Sequence, residues 1–297
     1  MRKIKNLITT LLLTVTLLCG STTYAFASEY TVVNYLAFGD SITEGDNSYV
    51  KYVSEYLATQ YNQVNTVNLG VSGCETTHLA TAFTESTNDA YESIRYGISM
   101  ADVITLDIGS NDILVAITDV FCSEFQCAPE NLGETMEEWA SKIQNEQNIF
   151  LKYMYYIQVS NIVNNIKDTL YNSDYMANVV AEFETNYKII IDTILELNPD
   201  VKLYIGNLYN PYHGFEPLIF ADGTEIINFN TFSDKYVTEL NNIIDNIIAD
   251  RYPIADIYST VSDSAYINAD YTTGNYDPHP NAEGQKVIGN LFIDVMK

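Results

Sequence analysis

Basic residues are scarce in this chain of 297 residues: lysine and arginine number 14 against 39 aspartate and glutamate, a formal net charge of −25. So acidic a surface is repelled by phosphate backbones and by anionic lipid, which excludes nucleic-acid binding as the main function. Histidine occurs three times, at His78, His213 and His279, and the four cysteines form no Cys-His cluster with zinc spacing. No metal site of nitrogen and sulfur ligands is therefore expected, which leaves only calcium on surface carboxylates, with nothing in the sequence to support it. Internal repeats and low-complexity linkers are missing, so nothing divides the chain into independent units. A bilayer-spanning run is missing as well, because the apolar stretch from Leu7 to Leu18 falls short of the ~20 residues a span needs.

That stretch belongs to an address segment. Arg2, Lys3 and Lys5 form a basic start, Leu7 to Leu18 an apolar middle, and Ala25-Phe26-Ala27 a small-x-small cleavage site. A signal peptide over 1–27 is predicted, with cleavage after Ala27, a secreted product and no stable membrane insertion afterwards. Cys19 would be a lipidation site only if the bulky Leu18 before it were tolerated, and cleavage removes it. The mature chain keeps Cys74, Cys122 and Cys127. Cys122 and Cys127, in the loop-like stretch FCSEFQCAPE, are the disulfide candidates and Cys74 the free thiol. The competing reading makes all three small buried hydrophobes.

With 47% hydrophobic and 18% charged residues, the mature chain has enough apolar side chains for a sizeable core. Short apolar runs alternate with helical patterns. Tyr30 to Phe38, Gln63 to Leu69, Val103 to Ile108, Val201 to Gly206 and Ile254 to Tyr258 read as strands. Tyr49 to Gln60, Thr76 to Ser99, Thr231 to Ala249 and Asn281 to Met296 read as helices, and 131–199 as a long helical insertion in a single domain spanning 28–297. Ile149, Tyr153, Tyr156, Val163, Ile166 and Leu170 mark one face of that insertion. Strands alternating with helices predict a parallel sheet covered on both faces, with the ligand site at the carboxyl ends of the strands. The first three strands each end in a glycine turn, at Gly39, at Gly70 with Gly73, and at Gly109.

Those turns carry the chemistry. The first strand runs into Gly39-Asp40-Ser41, the second into Asn68-Leu69-Gly70-Val71-Ser72-Gly73, and the third into Gly109-Ser110-Asn111-Asp112. Asp277-Pro278-His279-Pro280-Asn281 comes just before the last helix. A Gly-Asp-Ser tripeptide alone is more often a turn and helix cap. A nucleophilic serine needs a base, a group that orients the base, and donors for the oxyanion; these four segments supply one candidate for each requirement.

The four blocks, in this order, resemble the GDSL esterases and lipases, also called SGNH hydrolases, over roughly Val32 to Lys297. The resemblance implies a flavodoxin-like three-layer α/β/α sandwich and ester hydrolysis without a cofactor. It makes Ser41 the nucleophile, His279 the general base, and the N–H of Ser41, the N–H of Gly73 and the side-chain amide of Asn111 the oxyanion donors. The family usually places its acid three residues before the histidine, but that position is Tyr276. Asp277, two residues before His279, is the favoured acid; a backbone carbonyl in a Ser-His dyad is the alternative, and Asp270 a distant third. Asp40 and Asp112 read as turn and cap groups, His78 as a surface residue, Tyr212 as a substrate contact, and His213 as a rim residue that either lines the substrate mouth or has no role.

The expected substrate is a small ester, a lipid or an acylated carbohydrate. If the apolar face of the helical block is core, short acyl groups are favoured, and if it is a lid, lipids; packing is the default. Acyl transfer to a sugar hydroxyl and non-catalytic glycan binding remain as other functions of the same fold. The intact set Ser41, Gly73, Asn111 and His279 argues against the binding module.

Overall fold

The structure, a computed structural model, describes residues 30–215, 218–219, 225–249, 251–262, 264–270 and 277–297. The predicted signal peptide and Tyr276 lie outside the described residues. Four long strands, β1 (Val32–Gly39), β2 (Gln63–Gly70), β3 (Val103–Asp107) and β4 (Lys202–Gly206), precede a short hairpin of β5 (Leu218–Ile219) and β6 (Glu225–Ile227) and a final strand β7 (Ile254–Ala255). The main sheet is parallel throughout, in the order β2-β1-β3-β4-β7. Every residue of β3, Val-Ile-Thr-Leu-Asp, is buried, as a central parallel strand covered on both faces requires.

Alternation along β1 builds the two cores. Val33, Tyr35 and Ala37 face one side, where α1 (Tyr49–Leu57) and α10 (Ala282–Met296) pack through Tyr49, Val53, Ile288 and Phe292. Leu36 and Phe38 face the other, where α2 (Thr76–Thr84), α3 (Tyr91–Met100), α4 (Ser110–Phe125), α7 (Tyr175–Leu197) and α8 (Phe229–Ile248) close the larger core. The result is the expected three-layer α/β/α sandwich. The chain leaves β1 toward β2 on one side and toward β3 on the other, so the crevice at a topological switch point opens at the carboxyl ends of β1 and β3.

Three expectations change. Ile254 to Tyr258 is not one strand, because the Asp256 side chain accepts from the Ser259 N–H at 3.2 Å and starts the short helix α9 (Ile257–Val261). The block at 131–199 divides into α5 (Leu132–Asn145), α6 (Ile149–Lys167) and α7. Of these, α7 is a layer of the sandwich, with Phe183, Tyr187, Ile190, Ile191 and Ile194 fully buried. The predicted apolar face of α6 holds only in its second half, where Val159, Val163 and Ile166 are buried; Ile149 and Tyr153 are 86% and 62% exposed.

The cysteine pairing also changes. The stretch read as a loop is helical through Phe125, so Cys122 lies in the last turn of α4 and Cys127 just past the left-handed cap residue Gln126. The backbone closes there through the Cys127 N–H on the Cys122 carbonyl at 3.0 Å, and Cys74, Cys122 and Cys127 are all free thiols. Among the described residues no helix is long and apolar enough to cross a membrane.

Candidate active site

Glycine at the strand ends lets the nucleophile turn fold back on the sheet. A Cβ on Gly39 would collide with the Asp107 carbonyl and the Thr43 side chain, and one on Gly70 with the backbone at Thr43 and Glu44. The turn is fixed from three sides. Asp40 Oδ1 accepts from the Ile42 N–H at 2.9 Å, the Asn68 amide donates to the Thr43 carbonyl at 2.6 Å, and the Gln285 amide donates to the Ile42 carbonyl at 3.0 Å. Ser41 is thereby presented, half-buried, at the crevice.

The histidine arrives from the far end of the chain. Residues 266–268 and 279–281 clasp each other through Asn268 N–H on His279 O and Asn281 N–H on Tyr266 O, both 2.9 Å. The Asn281 side chain caps α10, accepting from Glu283 and Gly284 N–H at 3.0 Å each. Tyr209 donates its hydroxyl to the Pro278 carbonyl at 2.6 Å, bracing the loop from the end of β4. Held in this way, His279 places Nε2 2.8 Å from Ser41 Oγ.

Asp277 reaches its neighbour despite the shortened spacing. Its Oδ1 lies 2.5 Å from His279 Nδ1 and also accepts the His279 backbone N–H at 3.1 Å, while Oδ2 accepts from Asn268 Nδ2 at 3.1 Å. Burial works to raise the Asp277 carboxyl, but the bonds from the His279 ring and backbone and from Asn268 outweigh it and hold the group below the usual carboxylate range. Ser41, His279 and Asp277 therefore form one hydrogen-bonded chain, and no carbonyl is needed to orient the ring.

Gly73 adopts φ +76°, the left-handed region where a side chain is strained. Among the described residues no acceptor takes the N–H of Ser41 or of Gly73, which leaves both for a ligand. Asn111 lies at the first turn of α4, but both amide hydrogens are engaged: Nδ2 donates to Asp40 Oδ2 at 3.2 Å and to the Cys74 carbonyl at 3.1 Å. An oxyanion would share or displace the Asp40 contact.

Three buried carboxyls lie beneath the turns. Burial raises Asp40 to about 7, against the pull of the Ile42 N–H and the nearby His279. Burial likewise raises Asp112 to about 6, although Thr76 donates to it through N–H at 3.0 Å and through its hydroxyl. Asp107, buried and beside Asp40, is pushed well above the ordinary value, and its Oδ2 has no partner among the described residues. Asp40 and Asp112 are thus the turn and cap groups expected from sequence, with Asp112 capping α2. His78 is a surface residue whose Nδ1 accepts from the Glu75 N–H at 3.3 Å. Tyr212 lines the cavity at Ser41; His213 is exposed on the turn above it and does not. Tyr209 and Gln285 went unnoticed in the sequence because each acts on a residue distant along the chain, and Asn68, though part of the second block, was given no role there. Among the described residues no group of three or more His, Cys, Asp or Glu side chains could hold a metal ion.

A GDS turn at a parallel-sheet switch point, with its serine bonded to a histidine and the histidine to an aspartate, defines the class of ester hydrolases of the flavodoxin-like fold. The chain belongs to the GDSL-like lipase/acylhydrolase family, whose family model matches residues 37–287. Among solved structures it is similar to a lipase from a goat rumen metagenome, with 16% identity, coverage of 89% of this chain and 97% of that one, and a TM-score of 0.54. It is also similar to an acetylxylan esterase from Geobacillus stearothermophilus, solved as a catalytic mutant, with 14% identity, coverage of 89% and 94%, and a TM-score of 0.50. At these identities the likeness establishes the fold alone. No curated protein sequence matches the chain.

Proposed function

We propose that the protein is a secreted serine esterase that hydrolyses carboxylic esters through an acyl-enzyme on Ser41. The observation that carries this reading is the unbroken Ser41–His279–Asp277 chain, with contacts of 2.8 and 2.5 Å. Ser41 Oγ attacks the ester carbonyl while its proton passes to His279 Nε2. The tetrahedral oxyanion is held by the N–H groups of Ser41 and Gly73 and by the Asn111 amide. Collapse releases the alkoxide, which takes the proton from His279 as the alcohol. A water then gives a proton to His279 and attacks the acyl carbon, freeing the acid and Ser41. Asp277 stays ionised and stabilises the imidazolium in both halves of the cycle. The basic start, apolar run and Ala25-Phe26-Ala27 site support export.

The test is hydrolysis of p-nitrophenyl esters by the chain from Ser28, with Ser41→Ala in parallel. Ser41→Ala is expected to lower kcat by about a thousandfold or more. Equal inactivity of both proteins, with no labelling of Ser41 by a fluorophosphonate, refutes the reading. Product that forms only when a sugar hydroxyl is added assigns the same acyl-enzyme to transfer.

A further inference from the structure

The wall of the site that faces the protein interior is apolar. From Ser41 a cavity of about 60 Å³ runs between the first two turns of α4 and the start of α8. Ile113, Leu114 and Ile117 line it from α4, Val237 from α8, and Tyr209 and Tyr212 close it beside His279. Ile113, Ile117, Val237 and Tyr209 are all buried. Both helices are layers of the sandwich, so the cavity is built into the scaffold and does not depend on a mobile loop. At the catalytic end Gly73 and His279, the latter also lining the cavity, are exposed. A bound ester therefore meets a mostly apolar wall, with Ser110, Asn111 and Ser233 among its polar groups, and a face exposed to water.

Resting on the esterase reading above, we propose that this cavity is the acyl pocket and that it limits the substrate to butanoyl through hexanoyl esters. Leu114, Ile117 and Val237 set the limit. The volume supports a short chain, since about 60 Å³ of space is small beside a palmitoyl group. An acetyl group leaves most of the apolar wall uncovered, and a palmitoyl chain exceeds the space. The alcohol half lies toward solvent and is chosen less strictly.

The experiment compares kcat/KM on p-nitrophenyl esters from acetate to palmitate for the wild type and for Ile117→Ala, Leu114→Ala and Val237→Phe. Leu114 is only half-buried, so its variant remains informative if the Ile117 change disturbs folding. The wild type is expected to gain about fourfold per added carbon from acetate to its optimum at butanoate to hexanoate, the value of burying one methylene. Ile117→Ala and Leu114→Ala should move the optimum at least two carbons longer. Val237→Phe should lower the hexanoate-to-acetate ratio tenfold or more. An optimum at acetate or at decanoate and beyond, or a profile that none of the variants moves in an enzyme still labelled at Ser41, overturns this pocket assignment alone. Loss of all hydrolysis together with loss of labelling overturns the esterase reading and the pocket with it.

Discussion

Gln285 joins the two ends of the site: its side-chain amide donates to the Ile42 carbonyl at 3.0 Å, and its Oε1 accepts the Tyr49 N–H at 2.8 Å. One residue on the last helix thus fixes the distance between the turn that carries Ser41 and the loop that carries His279. Gln285→Leu leaves both backbone groups unpaired in a buried setting, which should cost about 2 kcal/mol or more of stability. Loosened registration of Ser41 against His279 should also lower kcat, with KM little changed. Thermal unfolding and steady-state kinetics on one ester check the two effects separately.

Asp277→Asn distinguishes a triad from a dyad. With an amide in its place the imidazolium loses its anion and the ring its tautomer, so kcat should fall by about 10³ to 10⁴. A loss under about tenfold would mean that neutral groups suffice to orient His279.

Buried carboxyls should make the protein more stable at acid than at alkaline pH. Asp40, raised to about 7, Asp112, raised to about 6, and Asp107, raised well above the ordinary value, each bind a proton more tightly folded than unfolded. The contributions of Asp112 and Asp40 are fully present below about pH 4, the unfolded carboxylate value, and are lost as pH rises through about 6 and about 7 respectively, and that of Asp107 has the same sign. Asp277 and Asp256, held low, have the opposite sign, but both are partly exposed. The unfolding midpoint is expected to fall between pH 5 and pH 8, and Asp107→Asn to flatten that fall. A midpoint that rises over the same interval contradicts this account.

Two glycines should respond differently to alanine. Gly73→Ala meets nothing within 4 Å but forces a side chain to φ +76°, which costs about 1–2 kcal/mol. That variant should fold and lose activity through its displaced N–H. Gly39→Ala meets backbone with nowhere to go and should fail to fold; soluble yield and circular dichroism tell the two apart.

The sheet and the four motif blocks were legible in the sequence because each is local: a β-branched run, a glycine at its end, a polar side chain one or two residues on. The acid was legible by type but not by reach, since whether Asp277 contacts Nδ1 depends on the clasp of residues 266–268 against 279–281. Tyr209 and Gln285 left no local signal, as their partners are set by how elements distant in sequence meet. Asn111 is the opposite case, a residue identified by its motif whose engagement with Asp40 and the Cys74 carbonyl only packing reveals. Cys122 and Cys127 lie within side-chain hydrogen-bond reach of each other, yet both are free thiols.

Ser41 and His279 stand 238 residues apart, and the cap and clamp that hold the histidine, Asn281 and Gln285, come later still. The base therefore joins the nucleophile only after most of the sheet has been synthesised. A chain synthesised from its amino terminus carries its nucleophile early and has no base for it until the final helix is made and docked. Premature stops anywhere before α10 should yield proteins with no hydrolytic activity, however much of the sheet they form.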